Sequence, residues 1–327
     1  MESISDCALP TDLLAAVVVN HDQWLAATDQ LAAHRRDDPA AFEAVEWFVV
    51  HNGPDPVGPV ARGGGGAPGD PALGRVALIE TENRGYGAAV NLAASRTSRP
   101  YLLALNADIL PRPGFLRRAI LAAARLQREG GERRVGIVGF RLVNADDSPQ
   151  GSVGPFPTLV RFLLGLLRPR SVRKYRRADD RRRRSVDWAT GACLLVARDC
   201  WAALGGFDER YFLYYEDVDL CRRARTAGWG VEYDPTAVCR HLFPYHARRL
   251  TPQMAFVARR ALLIYYWKHR PRWEFRVLSW IVRAECRVRR GNPSWRKIES
   301  MVGALLADPE RHAIGPGDVA ELRPRAV

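Results

Sequence analysis

Between Tyr211 and Leu220 the chain reads Tyr-Phe-Leu-Tyr-Tyr-Glu-Asp-Val-Asp-Leu, which puts Glu216, Asp217 and Asp219 into four consecutive positions. Carboxylates this close repel one another unless a cation, hydrogen bonds or a shared proton offsets the charge. Such a group can take a proton from a hydroxyl or hold a metal. Leu220, Arg223 and Ala224 follow at helical spacing and Gly228 reads as the stop, so the acids fall at a helix N-terminus, where the dipole tolerates them. That explains why acids are permitted there. It does not explain the aromatic residues Tyr211, Phe212, Tyr214 and Tyr215 beside them.

Other residues of chemical interest flank this stretch. Trp188-Ala189-Thr190-Gly191 precedes it and His241 follows it. Leu105-Asn106-Ala107-Asp108 places a short acid directly after an apolar run, as a metal ligand or as an ordinary loop start. Asn83-Arg84-Gly85-Tyr86-Gly87 opens a helix with small residues whose N–H groups can meet a phosphate or sugar.

The elements that must position these residues are legible as alternating apolar runs. Leu13–Val19, Val45–Val50, Val76–Glu80, Tyr101–Leu105 and Val135–Phe140 read as strands. Trp24–His34, Gly87–Ser95 and Gly114–Gln127 read as helices between them. This alternation predicts an α/β fold, a mostly parallel sheet with helices on both faces. Ligands bind such sheets beyond the carboxyl ends of the strands, where Asn20, His51, Asn83 and Asp108 fall. Residues 53–74 are rich in Gly and Pro and read as a surface loop, as does Arg141–Pro157. Met254–Trp267 and Trp273–Val288 are helical in period, basic and aromatic. The expected division is a catalytic domain over 1–245, a basic helical appendage over 246–305 and a patternless tail over 306–327.

With 327 residues and 47% hydrophobic content the chain can bury a full core. Six scattered cysteines without a CxxC pair argue against a zinc ribbon or disulfide scaffold and fit a reducing cytosol. The N-terminus shows no signal peptide, and no window of 18 uninterrupted apolar residues marks a membrane span. The net charge of +13 is concentrated in residues 168–184, at +8, and 248–297, at +12. Such patches suit anionic lipid, diphosphates or nucleic acid. A nucleic-acid-binding protein is the second reading of this basicity, but no recognition module or zinc spacing accompanies it. A dinucleotide-binding protein is a third, and no GxGxxG follows the first strand.

The whole pattern from Leu14 to about His241 resembles the family 2 inverting glycosyltransferases of GT-A fold, nearest to rhamnosyltransferase-like members of cell-surface polysaccharide assembly. The resemblance implies Asp217 as catalytic base, Asp108 and His241 as ligands of Mg2+ or Mn2+, and Asn106 on the ribose or the metal's water shell. It implies donor contacts from Asn20, His51, Asn83 and Gly85, and an acceptor side formed by Trp188, Thr190, Gly191, Glu216 and Asp219. The donor would be a dTDP- or UDP-sugar, and the acceptor a glycan or a polyprenyl-diphosphate-linked intermediate. The basic segments would hold the enzyme peripherally on the anionic cytoplasmic face of a membrane. One position departs from the pattern: the second strand in this family usually ends Asp-Asn, whereas here it ends His51-Asn52, which puts base recognition in doubt. A catalytically inactive relative is the alternative that this departure opens.

Overall fold

The computed structural model describes residues 9–21, 23–53, 76–129, 134–167, 175, 182–243, 251–289 and 293–313. The first half alternates β1 (Leu14–Asn20), α1 (Trp24–Asp37), α2 (Pro39–Glu43), β2 (Val45–His51), β3 (Val76–Glu80), α3 (Tyr86–Ala94), β4 (Tyr101–Asn106), β5 (Ile109–Pro111) and α4 (Phe115–Arg128). There follow β6 (Val135–Val143), β7 (Pro149–Gln150), β8 (Val153–Gly154), α5 (Leu159–Leu166), β9 (Arg184–Ser185), β10 (Trp188–Ala189), β11 (Cys193–Ala197), α6 (Arg198–Leu204), α7 (Glu216–Thr226) and β12 (Gly230–His241). The chain ends in helices α8 (Pro252–His269), α9 (Arg272–Val288), α10 (Pro293–Ala307) and α11 (Pro309–Ala313).

The main sheet runs β3-β2-β1-β4-β11-β6-β12-β5. Strands β3, β2, β1 and β4 are mutually parallel, as expected from their alternation with helices. The sheet as a whole is mixed, because β11 is antiparallel to both β4 and β6, and β5 is antiparallel to β12. The five apolar residues of β11 sit between the Gly191 turn and Arg198, and their pairing is set by distant strands. Residues 141–157, read as loop, carry the end of β6 and the short strands β7 and β8.

Strand β1 is apolar from Leu14 to Val19 because both of its faces are covered. Ala15, Val17 and Val19 enter one core cluster, and Leu14, Ala16 and Val18 enter the other. The second cluster is closed by α1, α2 and α4 through residues such as Leu31, Phe42, Phe115 and Ile120. The first is closed by α3 and α7 and also by α8, α9 and α10, through Leu263, Tyr265, Tyr266, Leu278, Val282 and Val302. The aromatic residues Phe256, Tyr265, Tyr266 and Phe275 are thus buried against the sheet and its helices. Burial of side chains this size is worth roughly 1.5–3 kcal/mol each.

Helix starts follow the local chemistry. Thr251 caps α8 by accepting the Met254 N–H, with Pro252 at the first helical position. Thr158 caps α5 in the same way through Arg161. Order extends past residue 305, to the end of α10 and through α11, where the sequence shows no pattern. The glycine-rich segment 54–74, most of the basic run 168–184 and the tail beyond 313 lie outside the described residues. Among the described residues no helix is long and apolar enough to cross a membrane.

Candidate active site

The carboxyl ends of β2, β1 and β4 lie side by side, with Asn20 opposite His51 and Val19 opposite Asn106. Buried Asn20 donates from Nδ2 to His51 Nδ1 at 3.1 Å, which leaves the proton of the neutral ring on Nε2. The His51 ring stacks on Trp24 with centroids 5.3 Å apart. Asn52 is 4% exposed, and its Oδ1 accepts no hydrogen bond.

Beyond Asn106 the chain turns through Asp108 into β5, whose Ile109 pairs with His241 at the end of β12. This register brings Asp108 and His241 together across more than a hundred residues, with His241 Nε2 at 3.4 Å from Asp108 Oδ1. The other ring nitrogen, Nδ1, donates to Gln150 Oε1 at 2.9 Å. Gln150 is itself oriented by donating from Nε2 to Asn144 Oδ1 at 2.8 Å, and Asn144 donates to Ser148 Oγ at 2.9 Å. The bond to Gln150 keeps a proton on Nδ1, so in the neutral ring it is the Nε2 lone pair that faces a carboxylate oxygen. His241 Nε2 is buried and makes no hydrogen bond. A lone pair and a carboxylate aimed at one point suit a cation between them. Among the described residues no group of three His, Cys, Asp or Glu side chains converges on such a point. Two protein ligands fit a hard cation that takes its remaining oxygens from substrate phosphates and water.

Asn106 donates its N–H to the carbonyl of Ala192 at 3.0 Å, which docks the Gly191 turn beside the end of β4. Gly191 N–H donates to Asp217 Oδ2 at 3.0 Å, and Val218 N–H donates to Oδ1 at 2.8 Å. Asp217 is therefore a fixed carboxylate, 7% exposed, that accepts one backbone bond on each oxygen and keeps lone pairs for a hydroxyl proton. Tyr86 donates to the Gly191 carbonyl at 2.6 Å. Burial, then the Glu216 and Asp217 carboxylates, push the Tyr86 hydroxyl well above its usual range, so it remains a donor. Just before α7, Tyr214 and Tyr215 hold φ of 71° and 67°, in the left-handed region that side chains rarely occupy. Local strain of this kind costs on the order of 1–3 kcal/mol per residue and persists where packing enforces it.

Three residues have settings different from those expected. Trp188 is 0% exposed, with its indole donating to Pro155 O at 2.9 Å, so it supports the Gly191 turn from within the core. Asp219 is 0% exposed and takes bonds from Arg223 at 2.7 Å, Lys268 at 2.5 Å and His269 at 2.7 Å. Burial alone would raise its pKa, but His269, Arg223 and Lys268 hold it well below the usual carboxylate range. Gly85 is required by the chain's own fold: at φ 102° a Cβ there would stand 2.2 Å from the Phe212 carbonyl oxygen. Its N–H goes to Asn83 Oδ1, and that of Tyr86 to Phe212 O. Glu216, 6% exposed, begins α7 beside Asp217, and Thr190 donates its N–H to Ser152 O. Gln150, Tyr86 and Asn52 were not read from the sequence as site residues. Gln150 meets His241 across 91 positions, and nothing in its local sequence marks it.

A family profile described as "Glycosyltransferase like family 2" matches residues 56–260. An N-acetylglucosaminyl-diphospho-decaprenol L-rhamnosyltransferase of Mycobacterium tuberculosis is 34% identical over 185 residues, covering 51% of this chain and 58% of that protein. The rhamnosyltransferase WbbL of Escherichia coli is 34% identical over 109 residues, 32% of this chain and 39% of WbbL. The match thus spans less than two thirds of either relative. The mannosyltransferase PcManGT from Pyrobaculum calidifontis, in complex with GDP-Man and Mn2+, superposes with a TM-score of 0.51 at 17% identity, over 97% of this chain and 89% of its own. The structure of GalNAc-T7 with UDP, GalNAc and Mn2+ gives 0.52 at 11% identity, over 78% and 49%. The fold is that of the GT-A glycosyltransferases.

Proposed function

The chain belongs to glycosyltransferase-like family 2, and on that premise we propose that it moves a sugar, with inversion, from a nucleotide diphosphate donor to a lipid-diphosphate-linked acceptor. The names of the relatives favour rhamnose as the sugar and an N-acetylglucosaminyl-diphospho-polyprenol as the acceptor. The observation that carries the reading is the convergence, at the carboxyl edge of one sheet, of the Asp108–His241 pair and the doubly anchored Asp217.

Asp217 takes the proton of the acceptor hydroxyl, whose oxygen then attacks the anomeric carbon. Asp108 and His241 would hold Mg2+ or Mn2+, which would supply neutralisation of the leaving diphosphate. Asn106, at the end of β4, lies beside both groups and faces the donor. His51 borders the base, and Asn52 Oδ1 is the acceptor for an imide N–H, in keeping with a uracil or thymine nucleotide. Glu216 and Thr190 border the acceptor.

The basic segments, with the exposed apolar side chains of α5 and α9, dock the enzyme on an anionic membrane surface. The buried aromatic residues of α8 take no part in that contact; Trp273, Val277 and Trp280 of α9 are 58, 40 and 63% exposed.

A panel of nucleotide sugars, each with and without Mn2+ or Mg2+, tests the reading by release of the nucleoside diphosphate in the presence of the lipid-linked acceptor. Release from a dTDP- or UDP-sugar that stops on chelation is expected. Release that persists in EDTA removes the metal, and no release from any donor removes the enzyme assignment.

A further inference from the structure

Between α5 and the second half of α7 lies a cleft of about 470 Å³ whose lining includes Arg161, Arg222, Arg225 and Arg270 around Phe156 and Asp187. With Arg270 held by Glu274, three guanidinium groups face the Asp187 carboxylate, and the cleft is positive. Elsewhere Arg117, Arg125, Arg210, Arg223, Arg240 and Arg259 each hold a carboxylate, while Arg118 and Arg198 bind backbone carbonyls. Arg270 likewise holds a carboxylate, bound to Glu274 through two nitrogens. Among the described residues Arg161, Arg222 and Arg225 pair with no carboxylate.

These three are nonetheless arranged. The Arg222 guanidinium lies over the Phe156 ring, 4.9 Å from its centroid, which fixes its plane and leaves its edge N–H groups for a ligand. Arg225 is aimed by neutral acceptors, Ser185 Oγ at 3.0 Å and Val186 O at 3.1 Å, so its charge is uncompensated. Arg161 stands exposed on the first turn of α5. Planar donors oriented without a counter-charge match a phosphate-type anion.

The position of the cleft says which anion. Arg222 and Arg225 share α7 with Asp217; a rise of about 1.5 Å and a turn of about 100° per residue set them roughly 7–12 Å further along the axis, Arg225 turned about 80° and Arg222 about 140° from the Asp217 direction. A sugar ring and its diphosphate span a gap of that order on the Arg225 side. On the other side the cleft meets α5, where Val160, Leu163, Leu164 and Leu167 are 64, 42, 53 and 86% exposed. The N-terminus of α5 is tied to α9 through the Leu159 N–H and Glu274 Oε2 at 3.0 Å. Apolar surface of this extent beside a cationic cleft suits a lipid that carries its charge at the headgroup.

We propose that the cleft is the subsite for the diphosphate of the lipid-linked acceptor, held by Arg161, Arg222 and Arg225, with the sugar reaching toward Asp217 and the lipid leaving along α5. The proposal rests on the acceptor reading given above. A bilayer phosphate headgroup shares the same chemistry, and the test separates the two.

Transfer is measured to farnesyl-diphospho-N-acetylglucosamine, soluble without a membrane, and to an alkyl glycoside of the same sugar that lacks the diphosphate. Arg161→Gln and Arg222→Gln each raise KM for the diphosphate acceptor about tenfold or more, as for loss of a charge-assisted contact, and do not raise it for the glycoside. Arg161 is exposed, so its variant carries no packing loss; Arg36→Gln, at the far end of α1, changes neither value. Equal effects on both acceptors, or none, overturn the proposal. So does a variant that loses binding to phosphatidylglycerol vesicles yet uses the diphosphate acceptor like the parent, since the arginines then serve headgroups. If the parent chain transfers to no diphosphate acceptor, the function reading has failed by itself. Titration with farnesyl diphosphate then decides the subsite: binding weakened by Arg161→Gln sustains it, and binding indifferent to both substitutions, or absent, ends it.

Discussion

Replacing Asp217 by Asn separates its chemistry from its structural role. Both carboxylate oxygens accept a backbone N–H, from Gly191 at 3.0 Å and from Val218 at 2.8 Å. An amide has one acceptor oxygen, so its NH2 must face one of these donors. The buried donor left without a partner costs about 1–3 kcal/mol. For a chain of this size that lowers the melting temperature by roughly 2–4 °C per kcal/mol. The side chain also loses its ability to take a proton, which removes roughly two to four orders of magnitude from transfer. The two losses are read independently, kcat from nucleoside diphosphate release at a temperature well below both melting points, and stability from thermal unfolding. Donor binding survives, because Asp108 and His241 are anchored by β5, β12 and Gln150. Turnover within about tenfold of the parent at full occupancy would refute the assignment of Asp217 as base, whatever the melting temperature does.

Three further outcomes follow from the geometry. Gln150→Leu removes the acceptor that fixes the His241 tautomer, and the Mn2+ concentration for half-maximal activity should rise about 10–100-fold; an unchanged Mn2+ titration would show that His241 does not depend on Gln150. His34 is fully buried without a hydrogen bond, and burial lowers its pKa to about 3. The unfolded chain therefore binds the extra proton first, so stability is full above about pH 6.5 and falls as the pH drops toward 3. That linkage contributes about 2 kcal/mol of loss between pH 7 and 5, which His34→Leu should abolish in denaturant titrations at the two pH values. Gly85→Ala places a Cβ 2.2 Å from the Phe212 carbonyl oxygen at φ 102°, and the melting temperature should drop by at least about 4 °C; a wild-type melting curve would mean that the 211–215 segment moves freely.

The strands that hold the donor side were legible because each is a short apolar run closed by polar residues, with both faces buried. Leu14–Asn20, Val45–His51 and Tyr101–Asn106 obey that rule, and Asn20, His51 and Asn106 fall at their ends as read. The pairing of Asp108 with His241 was implied by resemblance, and the structure explains it through the Ile109–His241 register of an antiparallel edge strand three residues long. A strand that short leaves no periodic trace in sequence. Strand β11, as long as β3, was not read; its place is set by antiparallel pairing with the distant strands β4 and β6, and Gln150 was hidden because its contact is far in sequence. Trp188, placed on the acceptor side by the resemblance, is fully buried and bonded to Pro155, a setting that no local sequence feature announces.

The acidic cluster was the strongest signal in the sequence, and its members part company for a geometric reason. Successive residues of an α-helix are turned by about 100°, so Asp219 points some 200° away from Asp217. Asp217 faces the Gly191 turn at the sheet edge, while Asp219 faces α8 and meets Lys268, His269 and, through its other oxygen, Arg223. Lys268 also bonds Asp208, so the segment before α7 and the helix itself are held by the same ammonium group. Truncating one partner of such a buried network leaves an uncompensated charge, a larger penalty than the loss of a surface ion pair. The cationic side chains thus have two separable uses. Lys268 and His269 point inward and brace the helix that carries Asp217, whereas the cleft arginines without a carboxylate partner belong to α5 and α7. Helix α8 is part of what sets Asp217 in place, since α7 is gripped on one side by the sheet edge and on the other by α8.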